Sequence, residues 1–139
     1  MSRLRVGLNL VFMGEHAGGV GRYAEELAAA LCRSGGAELT CFVNRRPPAG
    51  LLQAPWAGEV RWARLPVPIA GPPVHLLAQF GAIPAIAWRR GLDVVHSPAN
   101  VGPVRMPRVA SVVTLLDLIW LHDPEGWGTR RAVRSTRRL

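Results

Sequence analysis

Apolar residues recur along this chain with two different periods, and the switches between them mark its elements. Leu4 to Leu10 (LRVGLNL) is an apolar run of strand length, and Gly14, Gly18, Gly19 and Gly21 follow it. Apolar positions then return at Val20, Tyr23, Ala24, Leu27, Ala28 and Leu31, one face of a 3.6-residue period. A strand, a glycine-rich bend and an amphipathic helix are therefore expected in that order. Such a unit gathers backbone N–H groups and the positive end of a helix dipole at one place, which suits a phosphate or another anion.

The same pattern continues downstream. Ser34-Gly35-Gly36 supplies C-cap chemistry for the first helix, and Glu38 to Asn44 (ELTCFVN) predicts a second strand that must turn away at Asn44-Arg45-Arg46-Pro47-Pro48. Glu59 to Leu65 (EVRWARL) alternates Val60 and Trp62 loosely with arginines, as expected of a third strand nearer the sheet edge. Prolines 66, 68, 72 and 73 then form an extended connector, too short and apolar to separate two domains. Val74 to Arg90 predicts a second helical region with Leu76, Leu77, Phe80, Ile83, Ile86 and Ala87 as its buried stripe, kinked or divided near Pro84. Asp93-Val94-Val95-His96 reads as a short strand followed by Ser97-Pro98-Ala99-Asn100, and Arg108 to Leu116 as a fifth strand ending at Asp117. A helical pattern resumes at Trp127.

Strands alternating with helices predict an α/β fold, a Rossmann-like three-layer domain with a mainly parallel sheet. In such sheets ligands bind beyond the carboxyl ends of the strands, beside the point where strand order reverses. The Gly14 to Gly21 loop, Asn44-Arg45, His96-Ser97-Pro98 and Asp117 occupy those ends and should converge.

Composition narrows the function. A chain of 139 residues with 49% hydrophobic and 19% charged residues can bury a core and fits one domain, residues 1–126, followed by an arginine-rich tail over 127–139. All 17 basic residues are arginine, and Arg130, Arg131, Arg134, Arg137 and Arg138 fall in the tail; without them 12 basic residues face 9 acidic ones. The excess charge is thus mostly a tail property. Aromatic residues are not interleaved with it and no nucleic-acid motif is present, which argues against nucleic acid as a partner and leaves an anionic surface as an option. Cys32 and Cys41, without a CxxC or a histidine at ligand spacing, read as two buried thiols in a reducing cytosol, and no metal site is expected. No apolar stretch reaches the length of a membrane span.

Two nucleotide motifs fail on spacing and residue type. The glycines read G-E-H-A-G-G-V-G instead of GxGxxG, and Asn44-Arg45 stands where a nicotinamide-binding strand would end in an acid. A Walker loop fails for want of lysine.

Gly18-Gly19-Val20-Gly21-Arg22-Tyr23 at the head of an alanine- and leucine-rich helix, Asp93-Val94-Val95-His96-Ser97-Pro98, and Val112-Val113-Thr114-Leu115-Leu116-Asp117-Leu118 with Pro124-Glu125 downstream carry a resemblance. Over nearly its whole length the chain resembles the N-terminal domain of family 4 retaining glycosyltransferases of the GT-B fold. The resemblance implies two Rossmann-like domains facing across a cleft, the C-terminal one gripping most of a nucleotide-diphosphate sugar. The N-terminal one would supply the acceptor site and a glycine loop near the donor diphosphate. Carried over, Gly18, Gly19 and Gly21 would let backbone approach the phosphates and Arg22 would add charge; a tight turn without a ligand is the other reading of these glycines. Tyr23, on the same side as Leu27, is expected in the core.

The family usually has His-Asp where this chain has Leu116-Asp117. Leucine can neither donate a hydrogen bond nor take a proton, so His96, Asp117 or His122 would have to cover the role. His96, at a strand end, is the best substitute, although a packed histidine there is equally ordinary. Asp117 could instead cap the following turn. The C-terminal domain implied by the family is not in this chain, which alone should be inactive. The expected set is therefore a nucleotide-sugar substrate, an acceptor, a C-terminal GT-B domain as partner, no other cofactor, and a homodimer as a further option. A cytoplasmic location is expected, with peripheral contact at the inner membrane face as an option. The competing class is a non-catalytic Rossmann-like module binding an anion or a partner.

Overall fold

In the computed structural model, residues 3–14, 18–66 and 72–118 are described. The expected helix from Trp127, the arginine tail, His122, Pro124-Glu125 and most of the Pro66 to Pro73 connector lie outside them. Five strands, β1 (Leu4–Asn9), β2 (Ala37–Val43), β3 (Arg61–Arg64), β4 (Val94–Ser97) and β5 (Ala110–Val113), form one sheet in the order β3-β2-β1-β4-β5. Every pairing is parallel, with Leu8 opposite Cys41 on one side and His96 on the other. Strand order reverses between β1 and β4, the switch point at which such sheets open a crevice. The fold is α/β and Rossmann-like, as the alternation of periods predicts.

Helices cover both faces. On one, α1 (Gly18–Ser34) buries Ala24 and Ala28 among Val6, Leu8, Leu10, Leu39, Cys41 and Val43. On the other, α3 (Pro72–Leu77), a π-turn over Ala78–Ala82 and α4 (Ile83–Arg89) cover Phe42, Leu65 and Val95 with Ala78, Ile83 and Ala87. Successive residues of a strand point to opposite faces, so Leu8 and Asn9, like Val95 and His96, serve different layers. A single turn, α2 (Ala49–Leu52), follows β2 and tucks Leu51 into the core.

Several expectations are corrected. The buried stripe of the second helical region is not Leu76, Leu77 and Phe80: these are exposed, Leu77 by 68%, while Ala78, Gln79, Ile83 and Ala87 turn inward. The π-turn is the reason: its extra residue offsets the first piece from the second, so a 3.6-residue stripe that fits Ile83 and Ala87 does not extend back to Leu76, Leu77 and Phe80. Pro84 does sit at the start of the second piece, directly after the π-turn. Residues 57–59 form a 3₁₀ turn instead of opening β3, which begins at Arg61 and lies at the sheet edge. Its Trp62 packs on Trp56 at a centroid separation of 5.9 Å. β5 is shorter than Arg108 to Leu116. Cys41 is buried, but Cys32 is only partly so.

Candidate functional site

The crevice is built from the carboxyl ends of β1, β4 and β5 and from the start of α1. β4 ends in His96 and Ser97, whose side chains leave the sheet on opposite faces. Each joins a different hydrogen-bonded group.

On the α1 face, His96 Nε2 lies 2.7 Å from Thr114 Oγ1, and the Tyr23 hydroxyl lies 3.5 Å from the same oxygen. Tyr23 is 37% exposed, which corrects the expectation that it packs in the core: its hydroxyl reaches the segment after β5. Thr114 is held by its backbone, its N–H donating to Ser97 O and its carbonyl accepting from Asn100 N–H. Asn100 adopts a left-handed conformation (φ 55°), and its Oδ1 accepts a 2.7 Å hydrogen bond from Leu116 N–H. That clamp fixes Thr114 and Leu116 relative to the end of β4. Burial lowers the pKa of the His96 imidazole, so the ring is neutral at physiological pH.

On the α3 face, Asn9 at the end of β1 is 2% exposed, and its Nδ2 donates to Gln79 Oε1 at 2.8 Å and to Ser97 Oγ at 3.0 Å. Gln79, 1% exposed within the π-turn, places its Nε2 3.3 Å from His75 Nε2. An amide nitrogen only donates, so the His75 ring accepts there and carries its proton on Nδ1. Burial lowers the His75 pKa as well, in keeping with a neutral ring. Ser97 also touches the backbone of Gly102, where an added Cβ would come within 2.3 Å of Ser97 Oγ.

The glycine turn opens on a cavity of about 580 Å³ lined by Met13, Gly14, Gly18, Gly21, Arg22 and Glu25 and, from the α2 side, by residues 48–51. Gly18 has φ +58°, a conformation that favours glycine, whereas neither conformation nor packing demands glycine at position 19, where a Cβ would meet nothing within 4 Å. The first turn of α1 holds no acidic residue, and Arg22 and Glu25 bring opposite charges to the cavity lining.

Of the residues expected at the site, His96 and the Gly18 to Arg22 turn take their places at the carboxyl end of the sheet. Asn44 and Arg45 lie there too, at the end of β2, with Asn44 Oδ1 accepting from Arg45 N–H. Asp117 follows β5; among the described residues its Oδ1 has no hydrogen-bond partner, and the chain beyond residue 118 lies outside them. Among the described residues no hydrogen bond joins Asp117 to His96 or to the glycine turn. Leu116 is 39% exposed, and its backbone N–H donates to Asn100 Oδ1. Thr114, Asn100, Asn9, Gln79 and His75 were not legible as site residues. A polar residue inside or just after an apolar strand, as Asn9 and Thr114 are, is the signal that could have singled out two of them.

Among the described residues no three His, Cys, Asp or Glu side chains stand together as a metal site, and no helix is long and apolar enough to cross a membrane. Compared with known proteins, the chain matches no family model, no curated protein and no solved structure.

Proposed function

We propose that this chain is the acceptor-side domain of a retaining glycosyltransferase that moves a sugar from a nucleotide-diphosphate donor to an acceptor hydroxyl. The observation that carries the reading is a convergence at one end of one parallel sheet. There the glycine-opened start of α1 faces a cavity, and Tyr23 of the same helix reaches Thr114, whose hydroxyl lies 2.7 Å from the His96 ring on β4. In this reading the N–H groups of α1 and Arg22 steady the diphosphate as it leaves, since donors fixed in place cost no reorganisation as charge develops. The His96 ring, its Nε2 engaged with Thr114, offers Nδ1 to sugar or acceptor hydroxyls. A second α/β domain supplies most of the grip on the donor, so this chain alone transfers nothing, because both reactants must be held in reacting geometry.

One observation favours a different class, a non-catalytic module: Leu116 brings no proton-transferring group to the crevice. Against it, β5 is a sheet edge among the described residues, and Val112, Leu115, Leu116 and Leu118 beside it are exposed, as expected of a half that packs on further structure. Reading the gene and its neighbours past Leu139 tests the proposal. A second α/β domain with an acidic pair placed for a nucleotide sugar is expected; its absence both in frame and nearby would favour the module.

A further inference from the structure

We infer that Thr114 is a positioning residue for His96: its hydroxyl, backed by the Tyr23 phenol, donates to Nε2 and holds the imidazole as the Nδ1–H tautomer. The assignment follows from the order of the three groups. Thr114 Oγ1 is shared, 2.7 Å from His96 Nε2 and 3.5 Å from the Tyr23 oxygen, so one hydroxyl proton must serve one side while its lone pairs serve the other. The phenol is the most acidic donor of the three and a neutral imidazole nitrogen the strongest acceptor. The chain therefore runs from Tyr23 through Thr114 to His96, each donor polarising the next. The reverse direction would spend the imidazole proton on a weakly basic alcohol. Burial keeps the ring uncharged and able to accept.

The geometry around Thr114 is that of a support. Its N–H and its carbonyl are tied to Ser97 and Asn100, so the hydroxyl is fixed relative to β4 by two backbone hydrogen bonds. The same Asn100 anchors Leu116 N–H. The consequence for transfer, which rests on the proposed function, is that the proton-free nitrogen is engaged inside the relay. Nδ1–H is then the donor that the ring can offer to a substrate oxygen, and Thr114 decides that choice without touching the substrate.

The test is the protonation pattern of the His96 ring nitrogens in the full chain labelled with ¹⁵N-histidine, read by long-range ¹H–¹⁵N correlation at pH 7.5. The protein has four histidines, and His96→Gln assigns the signal. The expected spectrum shows Nδ1 protonated and Nε2 bare. Thr114→Val, nearly isosteric, moves the proton to Nε2 in most molecules, and Thr114→Ser restores the original pattern. A wild-type ring protonated on Nε2, or a folded Thr114→Val protein with an unchanged pattern, would overturn the inference. If the valine variant does not fold, the wild-type spectrum decides alone. In the chain joined to its second domain, Thr114→Val should lower kcat with the donor KM unchanged and Thr114→Ser should recover it. Absence of any transfer would count against the proposed function and leave the tautomer result standing.

Discussion

Asn9 and Gln79 are joined side chain to side chain by a 2.8 Å hydrogen bond between the end of β1 and the π-turn that crosses above it. Both are almost wholly buried, and Ser97 shares the same Asn9 amide. A buried polar group left without its partner costs about 1–3 kcal/mol. Asn9→Leu strands Gln79 Oε1 and removes the donor to Ser97, so it should destabilise the fold by about 3 kcal/mol. Urea unfolding measures this, and a double-mutant cycle with Gln79→Leu should show coupling of about 1 kcal/mol or more. Additive effects would mean that the two amides act independently.

The glycines separate into those the fold needs and those, such as Gly19, that it does not. Gly102→Ala places a Cβ against Ser97 and should cost about 1–3 kcal/mol by overpacking. Gly19→Ala meets nothing and should leave stability unchanged or raised by about 0.5 kcal/mol. In the complete enzyme the same Gly19→Ala change should weaken donor use, because it fills space that the proposal gives to a phosphate. A fully active Gly19→Ala enzyme would remove that role from the turn.

Stability should fall on mild acidification. The His75 and His96 pKa values are lowered from the ordinary 6.5 by burial, so below about that pH the unfolded chain binds protons that the folded one does not. Their contribution is complete above pH 6.5 and is lost as pH drops through the folded values. Asp93, kept low first by the Arg5 N–H and then by its guanidinium, adds a separate loss below pH 3.8. The urea midpoint at pH 5.5 is therefore expected below that at pH 7.5, with the difference reduced in His75→Gln and His96→Gln. Equal midpoints would contradict the burial assigned to both rings.

The two thiols should react at different rates. Cys41 is fully buried and its pKa is pushed up to about 12, mainly by burial, whereas Cys32 is partly exposed and only raised. Maleimide labelling of the folded protein should modify Cys32 first and Cys41 only on unfolding. Simultaneous labelling would mean that β2 opens readily.

The fold was legible where burial is symmetric. β1, β2 and β4 lie in the interior of the sheet, so their continuous apolar runs announce them, and α1 keeps a single amphipathic period. Val74 to Arg90 was legible as a divided helical region with Ile83 and Ala87 inward, but its first half was not, because the π-turn breaks the 3.6-residue period and buries Gln79 where the pattern places leucine and phenylalanine. The glycine turn and His96 could be read from their position at strand ends. Thr114, Asn100 and His75 could not, since their roles depend on distances between segments far apart in the chain.

The most direct test of the central claim is sugar transfer by this chain joined to its second α/β domain, followed by release of nucleoside diphosphate from a panel of nucleotide-diphosphate sugars. The expected result is donor- and acceptor-dependent release with the anomeric configuration retained, abolished by His96→Ala and absent from this chain alone. No release from any donor, or activity indifferent to His96, would contradict the account.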